Sequence, residues 1–216
     1  MYSNFFKKAF DLLISLLCLP IFVILYCIIG IMIKIEDGGP IFYKAKRIGK
    51  NSKIFDMYKF RSMKVNAPNI LNKDGSTYNS KNDVRVTKVG RFIRKTSIDE
   101  IPQILNIIKG NMSFIGPRAS GAEALKSYKD DEIDKMKVKP GITGYTQAYY
   151  RNGLSVREKR LKDSWYANNV TLWLDVKIFF KTIKTVLKRE NIYTNDAENN
   201  LERKEQLQNE ESIIDK

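Results

Sequence analysis

Twenty-two consecutive residues without a formal charge, Leu12 to Ile33, constrain this chain more than any other feature. As one α-helix the run is about 33 Å long, enough to cross the hydrocarbon core of a bilayer. Lys7 and Lys8 precede it, as in a signal peptide. The run is long for such a peptide, however, and Lys34, Glu36 and Asp37 follow it instead of a small-residue cleavage site. A retained membrane segment is the expectation. Pro20 lies inside the run; it removes a helical hydrogen bond and crowds the preceding turn, which predicts a kink there. Lys7 and Lys8 stand before the run and Lys34, Lys44, Lys46 and Arg47 after it. The positive-inside tendency then puts both ends in the cytoplasm. A re-entrant helix–break–helix fits that pattern, and an ordinary kinked span fits the residues equally well.

The charge balance points to an anionic partner. Lys and Arg number 38 against 24 Asp and Glu, a net +14. Residues 190–216 carry three basic and eight acidic side chains, so residues 1–189 hold +19. Nucleic acid, a phosphorylated substrate and an anionic membrane face all suit such a body. The chain has no histidine, which excludes Ser-His-Asp and Cys-His nucleophiles and His-rich zinc sites. Cys18 and Cys27, its two cysteines, both sit in the apolar run and read as small apolar residues of a helix.

After Gly38-Gly39-Pro40, the segments 41–43 and 54–58 read as strands of a hairpin around a basic, glycine-containing connection. Residues 64–83 are polar and read as a loop or lid. Helical patterns are expected from Asp99 to Gly110, over 120–136, and over 171–189. In the last, Val176, Phe179, Phe180, Ile183, Val186 and Leu187 share one side, and Lys177, Lys181, Lys184 and Lys188 the other. That pattern suits a helix in a membrane interface, or equally one packing its apolar side on a core. Residues 190–216 are expected to be a disordered or loosely helical tail.

The segment from Arg91 to Gln103 carries the strongest chemical signal. Asp99 and Glu100 open a helix just after Arg91, Arg94 and Lys95. A helix N-terminus favours anions and offers free N–H groups. It suits phosphate if cations or a metal offset the carboxylates. A purely structural alternative is a capping box between Ser97 and Glu100. Pro102 argues against that register, because with Ser97 as cap the proline stands where a backbone donor is required. Neighbouring helical side chains point about 100° apart, so the two carboxylates need not share a task. One suits a phosphorus atom, the other a divalent ion such as Mg²⁺. Gly116-Pro117 is a rigid turn that presents Arg118, a side chain suited to forked contacts with phosphate. Lys59-Phe60-Arg61 ends a strand with two cations.

At these residues the chain resembles the bacterial sugar transferase family, the monotopic phosphoglycosyl transferases that initiate glycan assembly on polyprenyl phosphate. The resemblance runs from about Phe5 to Lys188, and is to the small members. It includes Lys59-Phe60-Arg61-Ser62-Met63, Ser97-Ile98-Asp99-Glu100-Ile101-Pro102-Gln103, Met112-Ser113-Phe114-Ile115-Gly116-Pro117-Arg118, Lys139-Pro140-Gly141-Ile142-Thr143-Gly144 and Leu174-Asp175-Val176-Lys177-Ile178. It implies an α+β, mainly helical fold with a re-entrant N-terminal membrane helix, a small β-hairpin and amphipathic interfacial helices. The implied division is 1–36 membrane helix, 37–189 catalytic domain and 190–216 acidic tail. In catalysis, the resemblance makes Asp99 the nucleophile on the sugar-proximal phosphorus of a UDP-sugar. UMP leaves, and polyprenyl phosphate takes the phosphosugar from the aspartyl intermediate. Glu100 helps to hold Mg²⁺. Arg94 and Arg118 lie near phosphate or nucleotide, with Pro117 shaping the latter, while Lys59, Arg61 and Asp175 fall in matching motifs as substrate-binding candidates. The implied partners are the UDP-sugar, polyprenyl phosphate, the lipid bilayer and, as an option, a second copy in a homodimer, with no nucleic acid. The implied location is the bacterial inner membrane, with the catalytic domain in the cytoplasm.

Two positions depart from the family pattern. Leu19-Pro20 replaces Ser-Pro at the membrane break, and Arg118-Ala119 replaces Arg-Pro in the turn. Two rival activities fit some of the same residues: a glycosyl transferase releasing UDP, and a non-enzymatic, membrane-tethered module binding polyanions through the +19 body.

Overall fold

A computed structural model of the protein describes residues 2–68, 70, 78, 80, 82–150 and 153–188. The expected tail over 190–216, and residues 69, 71–77, 79 and 81 of the polar stretch, lie outside them.

The apolar run forms one helix, α1 (Lys7–Asp37), entered through a π-helical segment over Tyr2–Phe6. Its 31 residues make it about 47 Å long. Pro20 lies within the helix, with no non-helical residue dividing it into two arms. The proline is exposed, so its ring disturbs only the outer side, while neighbouring Phe22 is buried against the body. Asp11, Ser15, Phe22, Ile29 and Ile33 are buried. Steps of four and seven residues place them on one side of the helix. Leu13, Leu17, Ile21, Ile24, Ile28 and Ile35 are exposed.

Both ends of α1 are tied to the same body. Near its start, Lys7 pairs with Asp175, and Tyr2 Oη donates to the same carboxylate at 2.7 Å. Phe114 N–H donates to Asp11 at 3.1 Å. At its end, Asp37 pairs with Arg61, and Glu36 accepts from the backbone N–H groups of Lys88 at 2.6 Å and Val89 at 3.0 Å. The helix therefore lies along the body over its whole length.

Strands β1 (Phe42–Ile48) and β2 (Ile54–Phe60) form an antiparallel hairpin in which Tyr43 faces Lys59, Ala45 faces Met57 and Arg47 faces Phe55. The strands run further into the basic connection than expected, leaving a 3-10 turn over Lys50–Ser52. Buried Ala45 and Ile48 draw the polar stretch into β1. Next come α2 (Lys88–Lys95), a 3-10 helix over Ile98–Gln103 and α3 (Ile104–Ile108). Strand β3 (Ser113–Ile115) pairs in parallel with β4 (Gly141–Thr143). Between them, the helix expected over 120–136 is two 3-10 helices, Ala122–Ser127 and Asp130–Lys137. Extended backbone at Tyr128 and Lys129 separates the two. The chain continues through α4 (Tyr145–Tyr149), α5 (Val156–Asn168) and α6 (Leu172–Lys188).

Phe22, Ile29 and Ile33 of α1 share one apolar core with Phe60, Ile93 and Ile104. The membrane-length helix is thus part of the core that seats the hairpin, α2 and α3. Helix α6 packs through Asp175 and Ile178, and its Thr182 and Thr185 hydroxyls bond Thr143 and the Ala148 carbonyl at 2.8 Å each. Its Leu172, Trp173, Phe179, Phe180, Ile183 and Val186 are exposed. The apolar side read from the sequence therefore faces outward.

Candidate active site

Three elements converge on Asp99 and Glu100. Their 3-10 helix packs through Ile98 and Ile101 on the core that α1 shares. Buried Asn106 locks α3 to β2: its amide oxygen accepts from Tyr58 N–H at 2.9 Å and its amide nitrogen donates to Asp56 O at 2.7 Å. That places the next residue of β2, Lys59, against the dyad, 2.6 Å from Glu100 Oε1. The third element is the turn after β3. Pro117 is fully buried, and its carbonyl accepts from Gly141 N–H at 3.0 Å. The two backbones approach so closely that a Cβ on Gly141 would lie 2.1 Å from Gly116 N. The Gly116-Pro117-Arg118 and Pro140-Gly141 motifs thus form one joint. From it the half-exposed Arg118 guanidinium reaches to 3.6 Å from Glu100 Oε1.

The capping box does not form. Ser97 has a left-handed backbone (φ 59°), its side chain caps nothing, and Glu100 turns to Lys59 instead. This frees the dyad from a helix-starting role. Asp99 differs from Glu100: among the described residues, its carboxylate accepts no hydrogen bond. Burial raises its pKa, the charge of Glu100 adds to that, and the charges of Lys59, Arg94 and Arg118 offset part of it. Burial also pushes Glu100 up, but Lys59 and Arg118 outweigh it and hold the carboxyl at about 2. Arg94, near the end of α2, is steadied by Ser62, whose hydroxyl accepts from Nε at 2.8 Å.

Asp99, Glu100, Lys59, Arg94 and Arg118 are thus brought together, with Pro117 in the turn beneath Arg118. Arg61 and Asp175 are not part of that group. The Arg61 guanidinium spans both Asp37 oxygens, the Pro40 carbonyl at 2.7 Å and the Met63 carbonyl at 3.0 Å. Asp175 accepts from Lys7, Tyr2 and, at 2.6 Å, Tyr166. Each has its bonding capacity committed to protein partners that fasten an end of α1.

Arg47 is a site residue that the sequence reading passed over. Its buried Nε has no hydrogen-bond partner among the described residues. Burial lowers its pKa, Arg118 lowers it further, and Tyr43, Glu123 and Glu100 partly offset this. The hairpin register puts Arg47, Ala45, Met57 and Lys59 on one face. Extending β1 past Tyr43 would have revealed this in the sequence. Four cations, Arg47, Lys59, Arg94 and Arg118, therefore attend two carboxylates, an excess suited to an incoming diphosphate.

The donor set also suits Mg²⁺. Among the described residues no three carboxylates, histidines or cysteines cluster as a closed metal site. Mg²⁺ commonly takes one or two carboxylates plus substrate phosphates, and adjacent Asp99 and Glu100 supply hard oxygens of that kind.

Comparison with known proteins finds relatives over most of the chain. The bacterial sugar transferase family matches residues 2–189. Undecaprenyl-phosphate galactose phosphotransferase of Salmonella typhimurium is 41% identical over 209 residues, covering 88% of this chain and 42% of that protein. An Aeromonas hydrophila UDP-N-acetylgalactosamine-undecaprenyl-phosphate N-acetylgalactosaminephosphotransferase is 38% identical, covering 85% and 44%. Exopolysaccharide production protein ExoY of Rhizobium meliloti is 38% identical, covering 83% and 84%. The chain spans about two fifths of the length of the first two of these relatives. On a family match over nearly all its described residues, this chain belongs to the bacterial sugar transferase family.

Proposed function

We propose that the protein transfers a sugar 1-phosphate from a UDP-sugar to undecaprenyl phosphate, releasing UMP, as the first membrane step of polysaccharide or glycoconjugate assembly. One observation carries this reading: Asp99 is a partly buried carboxylate without a hydrogen-bond partner among the described residues, set beside Glu100 and several cations. A carboxylate so placed is a nucleophile held among charges that fit a diphosphate. The names of the Salmonella and Aeromonas relatives give the same acceptor and two different sugars.

In the first step an Asp99 oxygen forms a bond to the sugar-proximal phosphorus. The bond from that phosphorus to the UMP oxygen breaks, and UMP leaves with the electron pair. In the second, an oxygen of the polyprenyl phosphate bonds to the same phosphorus and Asp99 departs as a carboxylate. Neither step needs a proton from the protein, which suits a chain with no histidine. Lys59 keeps Glu100 ionised and in place, and Arg47, Arg94 and Arg118 bind and orient the phosphates. Glu100, with Asp99 beside it, would hold Mg²⁺, which would supply neutralising charge to the diphosphate.

The acceptor is a lipid, and the outer faces of α1 and α6 suit a lipid surface. Exposed Leu17, Ile21, Ile24, Trp173, Phe179 and Phe180 would dip into one leaflet. Attachment of both ends of α1 to one body keeps them on one side of the bilayer, and the basic flanks Lys7, Lys8, Lys34, Lys44, Lys46 and Arg47 favour the cytoplasmic side. The test is product release from purified protein in lipid with Mg²⁺, polyprenyl phosphate and a panel of UDP-sugars. UMP supports the proposal, UDP points to a glycosyl transferase, and salt-sensitive polyanion binding without turnover points to a tethering module.

A further inference from the structure

The geometry points to Lys135 as a positioning residue that sets Arg118 at the phosphate site. Lys135 lies in the 3-10 helix Asp130–Lys137, outside every motif that carries the family resemblance, and is 8% exposed. Its ammonium donates to the Arg118 carbonyl at 3.1 Å, to Asp163 Oδ2 at 3.1 Å and to Ser120 Oγ at 3.4 Å. All three donors are engaged. Asp163, on α5, is 1% exposed and also accepts from Thr146 Oγ1 at 2.8 Å.

These bonds pin both ends of the segment Arg118-Ala119-Ser120. Ala119 lacks the ring by which a proline would stiffen that turn, so its shape depends on what holds it from below. The segment also fixes β1: Ile48 N–H donates to Ser120 O at 2.9 Å, and Arg47 bridges Gly121. One buried ammonium therefore ties together the Arg118 turn, the strand that carries Arg47, and α5. A buried Lys–Asp pair is a weak source of net stability, because desolvation of both charges offsets their attraction. Its contribution here is geometric. The Arg47 charge repels the Arg118 guanidinium, and a fixed backbone keeps Arg118 turned toward the site until a phosphate arrives.

This inference rests on the reading of Arg118 as a phosphate contact, and a double-mutant cycle separates the two. Donor KM and kcat are measured for UMP release with the panel's best UDP-sugar, using wild type, Arg118→Ala, Lys135→Met and the double variant in lipid. Arg118→Ala and Lys135→Met are each expected to raise donor KM about tenfold, as loss of a charge-assisted contact does. Lys135→Arg restores most of the affinity. In the Arg118→Ala background, Lys135→Met adds less than about twofold, the coupling expected when one residue acts through the other. If Lys135→Met folds poorly, the doubly neutral Lys135→Gln/Asp163→Asn chain takes its place in the cycle. Full additivity, or an unchanged KM for the Lys135 variant while Arg118→Ala is impaired, overturns the positioning role alone. An unchanged KM for Arg118→Ala overturns the reading of Arg118, and the positioning role with it.

Discussion

Burial acts on Asp99 and Glu100 alike, and only Glu100 is fully compensated. Its ion pair with Lys59 keeps it charged, whereas Asp99 is held above its ordinary range by desolvation. An acid with a raised folded pKa destabilises the native state as pH rises from its unfolded value to its folded one, and fully above the latter. Asp99→Asn should therefore abolish UMP release while leaving thermal stability at neutral pH unchanged or higher, as read by calorimetry. The same sign governs pH dependence. Activity requires ionised Asp99, so the acid limb of kcat/KM is expected at an apparent pKa above the usual aspartate value of about 3.9. Glu100 has the opposite sign: its stabilising contribution is present above the unfolded value of about 4.3 and is lost as pH falls toward about 2. The dyad was legible in the sequence because the Pro102 position already disfavoured a capping role for Ser97. Arg47 was not legible, since its place on the Lys59 face depends on a strand that a basic composition hides.

At the scale of elements, Arg61 shows how a motif residue can serve the scaffold. It clamps Asp37 at the end of α1 and two carbonyls beyond. Arg61→Met leaves Asp37 without its cation and should cost about 2–4 kcal/mol, read as a lower midpoint in chemical denaturation. Asp175 fastens the other end of the same helix. Their recurrence beside site residues in the motifs does not distinguish a ligand contact from a clamp; only the partners do. Helix α5 was missed for a related reason. Its buried side chains include Asp163, Ser164 and Tyr166, so it packs through a polar network that an apolar period cannot reveal. Conversely, the side of α6 that the sequence marked as apolar is the side left exposed. Helical period finds such a face, but not what will cover it.

For the whole molecule, the apolar N-terminal helix is part of the core and, in the proposed function, also the membrane surface. The sequence showed its length and its lack of charge; it could not show that Phe22, Ile29 and Ile33 would be shared with Phe60, Ile93 and Ile104. Because both ends of α1 are tied to the body, Ser3→Cys in a chain lacking Cys18 and Cys27 should resist an impermeant thiol reagent in intact cells and react after permeabilisation. Labelling in intact cells would contradict the cytoplasmic placement of that end. The reaction itself is tested most directly by incubating the protein with Mg²⁺ and each UDP-sugar without polyprenyl phosphate, then mapping the chain by mass spectrometry. The account predicts UMP release no greater than one equivalent and a sugar-phosphate adduct on Asp99 that disappears when polyprenyl phosphate is added. UMP release that requires the acceptor from the outset, with no adduct on Asp99 under any donor, would contradict it.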